Sequence, residues 1–480
     1  MKYCFAMFKL ILLIPLLTMP SGLADGLPDL GEASQSGFSP QTERSVGEAI
    51  MNDVRHDRNL VDDSELTDYL NNLGYRLVAS SAGNRQDFEF FVLRDSTLNA
   101  FALPGGFIGV HTGLILATQS ESELAAVLAH EIAHVTQHHL ARIIAKQKQS
   151  AMTSLAALAV AILAARSSPQ MANAAMATAQ ATSIQTQLDF TREHEREADR
   201  IGLQTLTRAG FDPRGAVSFF ERLQKSSRLY ENNAPEYLRT HPITSERIAD
   251  MQNRLKDKPY RQVPDSLEFQ LVRAKLQADE GTPQQAIAHF EEALREKKYS
   301  SEVASRYGLA SALLRDKDTA RAKQELALLR KSTAPNAIIE NLGALIMTAA
   351  GPQDAALAQY KTALKSFPNH RALVYGYAEA LLHNRNSSEA LKLVGNRLLR
   401  FPNDSRLYEL QAQGYAMQGK MLLSHQAQAD AYARQGDLAA AIEQLQLGLK
   451  AGDGDFYQLS IAEASLKALR VKQADLTKKP

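Results

Sequence analysis

The chain has 480 residues, more than one ordinary core accommodates, so two or more domains are expected. Apolar residues at 45% and charged residues at 22% exclude a largely disordered chain, and 54 Lys+Arg against 53 Asp+Glu exclude a global basic field for nucleic acid. A single cysteine excludes both a disulfide scaffold and a thiolate zinc site.

In chain order, Lys2 and Lys9 precede an apolar core from Leu10 to Leu17, and small residues lead to Ala24. That order reads as a secretory signal peptide over residues 1–24, cleaved after Ala24. The apolar run is shorter than the ~20 residues a spanning helix needs. Asp25 to Pro40, rich in Gly, Ser and Pro, is a loose leader. Helices are then expected from Ser39-Pro40 to about His56 and from Ser64 to Ala79. Phe88–Leu93, Asn99–Leu103 and Phe107–His111 read as strands, the last two joined by Pro104-Gly105-Gly106. Ser122 to about Gln147 contains no Pro or Gly and reads as one long helix, and Thr191 to Arg208 as another, ended by Gly210. The first half is thus α+β.

Lys256 to Pro264 reads as a linker, and beyond it the chain is helical and repetitive. Ala286-x3-Phe290-x2-Ala293 recurs from Ala320, Ala356 and Ala390, at intervals of 34, 36 and 34 residues. Gly308, Gly343 and Gly376 mark the preceding helix of their units, with Ala274 in that place in the first. The pattern resembles the tetratricopeptide repeat, in which small residues let helices cross closely. After Ala390 the phase breaks: Ala441-x3-Leu445-x2-Gly448 falls one and a half periods later, which predicts an extra helix around Leu407 to His425.

The chemistry centres on His130-Glu131-Ile132-Ala133-His134. A spacing of four puts both imidazoles on one helix face, as two ligands of one zinc require. Glu131, rotated by about 100 degrees from His130, can face a water instead and serve as general base. A third ligand is needed, and the candidates are Glu121, Glu123, His138, His139, Glu193, His194, Glu195 and Glu197. His138 lies more than two turns beyond His130 and would diverge from the same ion. Glu195 and Asp199 form an i,i+4 pair, so one can ligate while the other accepts an outer imidazole N–H, but spacing does not separate Glu195 from its neighbours.

His130-Glu131-x2-His134, Arg192-x2-Glu195-x2-Ala198-Asp199, His241-Pro242 with Arg247-Ile248, and the stretch Asn99 to Gly106 together resemble the gluzincin metallopeptidases that include the HtpX and CAAX-type endopeptidases. The resemblance implies one Zn²⁺ per chain, held by His130, His134 and Glu195, with Glu131 as catalytic base and Asp199 behind the ligands. With the signal peptide and the repeats, the chain resembles periplasmic members of that family that serve outer-membrane protein assembly and quality control. The expected fold is an α+β zincin-like metallopeptidase domain (residues 25–260) followed by an all-α tetratricopeptide-repeat solenoid (residues 261–480). Unfolded or stalled outer-membrane β-barrel proteins are the implied substrates, and the assembly machinery is the implied partner of the repeats.

Three features stay open. Gly105-Gly106 is either a hairpin turn or a place where a substrate strand approaches closely. Ala151–Ala165, apolar and followed by an Ala/Met/Thr stretch to Thr182, is a core helix, a lid over the metal, or an apolar contact surface for barrel proteins or a membrane. His241 either stabilises the oxyanion or fills the open zinc position and holds the enzyme latent, and Arg247 can bond the nearby carboxylates. The rival to an enzyme is a non-proteolytic assembly chaperone or scaffold that keeps a peptidase fold; the intact Glu131 speaks against it.

Overall fold

The computed structural model describes residues 39–81, 86–146, 192–227 and 236–478, except 258, 260, 261 and 352. The signal peptide expected at 1–24 and the apolar stretch 151–182 lie outside the described residues. Helix α1 (Pro40–Arg55) starts where the Ser39 hydroxyl accepts the Thr42 N–H, with proline where no backbone donor is needed. Helix α2 (Ser64–Ser80) starts at Asp63, whose carboxylate accepts the N–H groups of Glu65 and Leu66, and buries Leu66, Leu70, Leu73 and Leu77 along one face.

Strands β1 (Glu89–Leu93), β2 (Ala100–Leu103) and β3 (Phe107–His111) form a sheet in the order β1-β3-β2. β1 runs parallel to β3 and β2 antiparallel to it. Gly105 and Gly106, at φ 78° and 89°, turn β2 into β3. A Cβ on Gly105 would sit 2.6 Å from the Arg44 Cα, and one on Gly106 would sit 2.2 Å from the Asp87 carbonyl oxygen. The close approach these glycines permit is therefore to the chain's own backbone, which favours the turn.

After α3 (Thr112–Ala117) comes α4 (Glu121–Thr136), buried from Glu121 to Val135. The single helix expected to about Gln147 is not what forms. His138 adopts φ 51°, the chain turns, and α5 (His139–Lys146) sets off in a new direction. A left-handed non-glycine residue costs on the order of 1–3 kcal/mol and persists only where the surroundings demand it. Helices α6 (Arg192–Arg208), α7 (Arg214–Ser227), α8 (Glu236–Thr240) and α9 (Ser245–Leu255) follow. α6 crosses α4 closely, because a Cβ on Gly202 would lie only 3.2 Å from the His130 nitrogen.

From Leu267 onward the described elements are all helices: α10 (Leu267–Asp279), α11 (Pro283–Glu296), α12 (Glu302–Arg315), α13 (Thr319–Ser332), α14 (Ala337–Ala349), α15 (Gln353–Ser366), α16 (Arg371–His383) and α17 (Ser387–Leu398). The repeat signature has a direct packing cause. Gly308 of α12 leaves room for the Phe290 ring of α11, and Gly376 of α16 does the same for Tyr360 of α15, since a Cβ on either glycine would overlap that ring. In the second unit the frame read from Ala320 is two residues out: Ala320, Gln324 and Ala327 are exposed, the buried positions are Ala322, Leu326 and Leu329, and it is Leu326, with Arg330, that approaches Gly343. The extra helix is α18 (Ser405–Met417), shorter than the sequence suggests; residues 421–425 already belong to α19 (Met421–Gln435), which pairs with α20 (Leu438–Leu449) before α21 (Phe456–Lys478).

One hydrophobic cluster runs from Leu66 and Leu70 of α2 through Leu124 to Ile132 of α4, and on to Phe269, Leu309 and Ile346 of the repeats. The first helices of successive units turn toward the start of α2. Lys275 of α10 pairs with Asp63 at 2.5 Å and Glu65 at 2.6 Å, Asn341 of α14 donates to Glu65 at 3.0 Å, and Arg371 of α16 pairs with Asp68 at 2.7 Å. The repeats thus pack against α2 of the first half of the same chain.

Candidate metal centre

α4 delivers His130 and His134, α6 delivers Glu195, and the residue just after α8 is His241. One nitrogen or oxygen from each of these four lies within 4.8 Å of the others, and all four side chains are buried. His130 Nε2 is 3.0 Å from His134 Nε2 and 3.5 Å from Glu195 Oε2; His134 Nε2 is 3.4 Å from Glu195 Oε1. His241 Nδ1 completes the set, 3.4 Å from His130 Nε2 and 3.0 Å from Glu195 Oε1. Four donors at bond lengths of 2.0–2.1 Å around a tetrahedral ion stand roughly 3.3 Å apart. Five of the six edges of this group, at 3.0–3.5 Å, fit a zinc-sized ion, and its nitrogen and oxygen donors suit a borderline-soft dication.

The residues behind the donors fix their orientation. Asp199, one turn beyond Glu195, puts Oδ1 3.1 Å from His130 Nδ1. Arg247 of α9 grips Asp199 with two bonds of 2.7 and 2.8 Å and reaches Glu195 Oε2 at 2.8 Å, so the carboxylates expected to receive it do. Burial alone would raise the Glu195 carboxyl, yet His241 and His130 hold it well below the usual range. Burial would lower His130, but Asp199 and Glu195 outweigh it and raise the imidazole to about 10. His134 is pushed well below its ordinary value, chiefly by burial. The carboxylates that draw a proton onto His130 would serve a dication in its place, which releases that proton on binding.

Glu131 is not one of the four donors but lies beside them. Burial raises its carboxyl, with His241 and His130 pulling the other way; the Ala102 backbone N–H of β2 supplies a hydrogen bond. Its Oε1 lies 3.6 Å from His241 Nε2. Among the described strands, β2 pairs with β3 alone, so its other edge is free of strand partners beside this carboxylate.

Not all the candidate ligands come together. Glu121 accepts from Tyr69 and Ser266 at the junction with the repeats, and Glu123 is clamped by Arg222. Glu193 is exposed, and His138 lies 3.9 Å from Glu43. His139 stands behind His134, its Nδ1 2.8 Å from the His134 Nδ1, and Glu197 stands behind His139. The His194 ring stacks on His139 at 4.6 Å. Tyr237, one turn before His241 on α8 and fully buried, was not evident from sequence; its spacing of four from His241 was the available signal.

Comparison with known proteins gives a consistent picture. Residues 64–255 match the model for peptidase family M48, and residues 261–337 and 348–414 match tetratricopeptide-repeat models. A Vibrio cholerae protein named putative beta-barrel assembly-enhancing protease is 42% identical over 250 residues, 52% of this chain and 51% of its own, so that match spans about half the relative's length. The beta-barrel assembly-enhancing protease of Yersinia pestis is 32% identical over 419 residues, 87% of this chain and 86% of its own. The mitochondrial metalloendopeptidase OMA1 of Schizosaccharomyces pombe is 33% identical over 201 residues, 42% of this chain and 56% of its own.

Proposed function

Because the chain belongs to peptidase family M48, and matches the beta-barrel assembly-enhancing proteases over most of its length, we propose that it is a zinc endopeptidase of the bacterial envelope acting on unfolded or stalled outer-membrane β-barrel proteins. The observation that carries this reading is the buried set of His130, His134, Glu195 and His241 donors within 4.8 Å, with Glu131 beside it. His130, His134 and Glu195 are the proposed protein ligands. Zinc bound there supplies Lewis acidity, acidifying a water molecule and polarising the scissile carbonyl.

The chain's own residues do the rest. Glu131, raised by burial, takes a proton from the attacking water and returns it to the leaving amine. Asp199 holds His130 through Nδ1, and Arg247 holds Asp199. The edge of β2 that pairs with no described strand gives an extended polypeptide a strand to pair with, next to Glu131. An unfolded barrel protein, made of strands without partners, is suited to that edge.

His241 belongs to a closed resting form in this account. Its Nδ1 stands among the donors, where water and substrate would otherwise enter, which supports latency over a role in oxyanion binding. A signal peptide over residues 1–24 would deliver the chain to the periplasm. No described helix is long and apolar enough to cross a membrane. The repeats are the proposed docking module for the assembly machinery, through faces other than the one that holds α2.

The test is direct. The full-length protein, stripped of metal and reloaded with zinc, should cleave an unfolded outer-membrane barrel polypeptide, and chelation should stop it. Cleavage that persists without metal would overturn the reading, and a chain that delays aggregation of the same polypeptide without cutting it would be a chaperone instead.

A further inference from the structure

His139 was a candidate ligand by sequence, yet it lies outside the donor set and is completely buried directly behind it. Its Nδ1 is 2.8 Å from the Nδ1 of His134, while the Nε2 of His134 faces His130 and Glu195. Two ring nitrogens that close must share one proton and one lone pair. If Nε2 of His134 binds a metal it carries no proton, so the proton of the neutral ring sits on Nδ1 and is donated to His139. The Nδ1 of His139 then presents its lone pair, and its own proton is on Nε2. That atom lies 3.2 Å from Glu197 Oε2, which can only accept while ionised. Arg142 of α5 holds the same carboxylate oxygen at 2.7 Å.

The chain from His134 through His139 to Glu197 therefore has one self-consistent direction of donation. We infer that His139 is a positioning residue of the metal centre: it accepts the Nδ1 proton of His134 and so keeps the other nitrogen aimed at the ion. His130 has a carboxylate, Asp199, in the equivalent place. His139 does the same for His134 without adding a negative charge. It also stacks on His194, the neighbour of Glu195, and so links His134 of α4 to α6, the helix that carries Glu195.

The geometry depends on the break at His138. In a continuous helix, a residue five places after His134 would point about 140 degrees away from it. The left-handed turn at His138 brings His139 back over the ligand.

This inference rests on the metal-centre reading, and the test separates the two. Zinc affinity is measured on the full-length chain by competition with a chromophoric chelator, in a Glu131→Gln background that prevents self-cleavage. A parent that binds no zinc would sink the metal centre itself. Given a parent that binds, His139→Asn and His139→Gln are compared. Asn sets its amide oxygen where Nδ1 lies and preserves the acceptor, whereas Gln sets its amide where Nε2 lies. His139→Asn should stay close to the parent and His139→Gln should bind about 10–100-fold more weakly. Equal affinities for the two, whether both strong or both weak, would overturn the inference, because a packing role alone does not distinguish them. If His139→Gln fails to fold, Glu197→Ala takes its place: its side chain is partly exposed, and it removes the group that fixes the proton of His139. Weaker zinc binding than the parent is expected there, and parent-like binding would overturn the inference.

Discussion

At the scale of single residues, each group at the centre has a separable consequence. Glu131→Gln should keep the metal and lose cleavage, because Glu131 lies beside the four donors without being one of them. His134→Ala should lose the metal, as elemental analysis of the purified protein would report. Glu195→Ala should do the same while Glu193→Ala, exposed and outside the donor set, should not. His241→Ala should raise basal cleavage with zinc retained, since it removes the group standing among the donors; lower cleavage would restore the oxyanion role. His130, Glu131 and His134 were legible in the sequence because a spacing of four fixes their relation within one helix. Glu195 was not separable from its neighbours by spacing, because its position depends on how α6 crosses α4. The use of His139 was illegible for another reason: it depends on a left-handed residue, His138, that carries no glycine to announce it.

At the scale of elements, the crossings are set by missing side chains. Gly202→Leu should push α6 off α4, since even a Cβ there comes within 3.2 Å of the His130 backbone nitrogen. The expected outcome is weaker zinc binding in a chain that still shows its helical spectrum; unchanged affinity would mean that the crossing does not set the Glu195 distance. Gly308→Ala should cost about 1–3 kcal/mol in urea unfolding of the repeats, because the added methyl overlaps the Phe290 ring. The repeat period itself was readable, as the same small residues recur every 34 to 36 positions. The boundaries past Ala390 were less so, because the extra helix α18 shifts the phase and its own glycine, Gly414, sits against Leu391 outside the repeating pattern.

At the scale of the whole molecule, the two halves share one hydrophobic cluster and a buried ionic contact. The sequence separated them at the linker near Lys256 to Pro264; nothing in it revealed that Leu66, Tyr69 and Glu65 are covered by repeat helices. Deleting residues 265–480 should therefore expose this face and leave a poorly soluble peptidase half, which a sedimentation assay would detect. Lys275→Ala should leave Glu65 buried without its cation, at a cost of about 3–5 kcal/mol. Burial already raises the Glu65 carboxyl and Lys275 counteracts it, so the variant raises it further. A carboxyl raised on folding contributes stability at pH values below its unfolded value and loses it as pH rises through the folded value. The deficit of Lys275→Ala relative to the parent should accordingly grow from acid toward neutral pH; a deficit constant across that range would mean that Glu65 is not the group left uncompensated.

In the proposed mechanism one metal, held by His130, His134 and Glu195, hydrolyses peptide bonds with Glu131 as base. The most direct measurement pairs zinc content with cleavage of an unfolded outer-membrane barrel polypeptide in the full-length parent and in Glu131→Gln. One zinc per chain is expected in both proteins, with cleavage by the parent alone. Cleavage by Glu131→Gln at the parent's rate, or a parent that cuts while holding no metal, would contradict it.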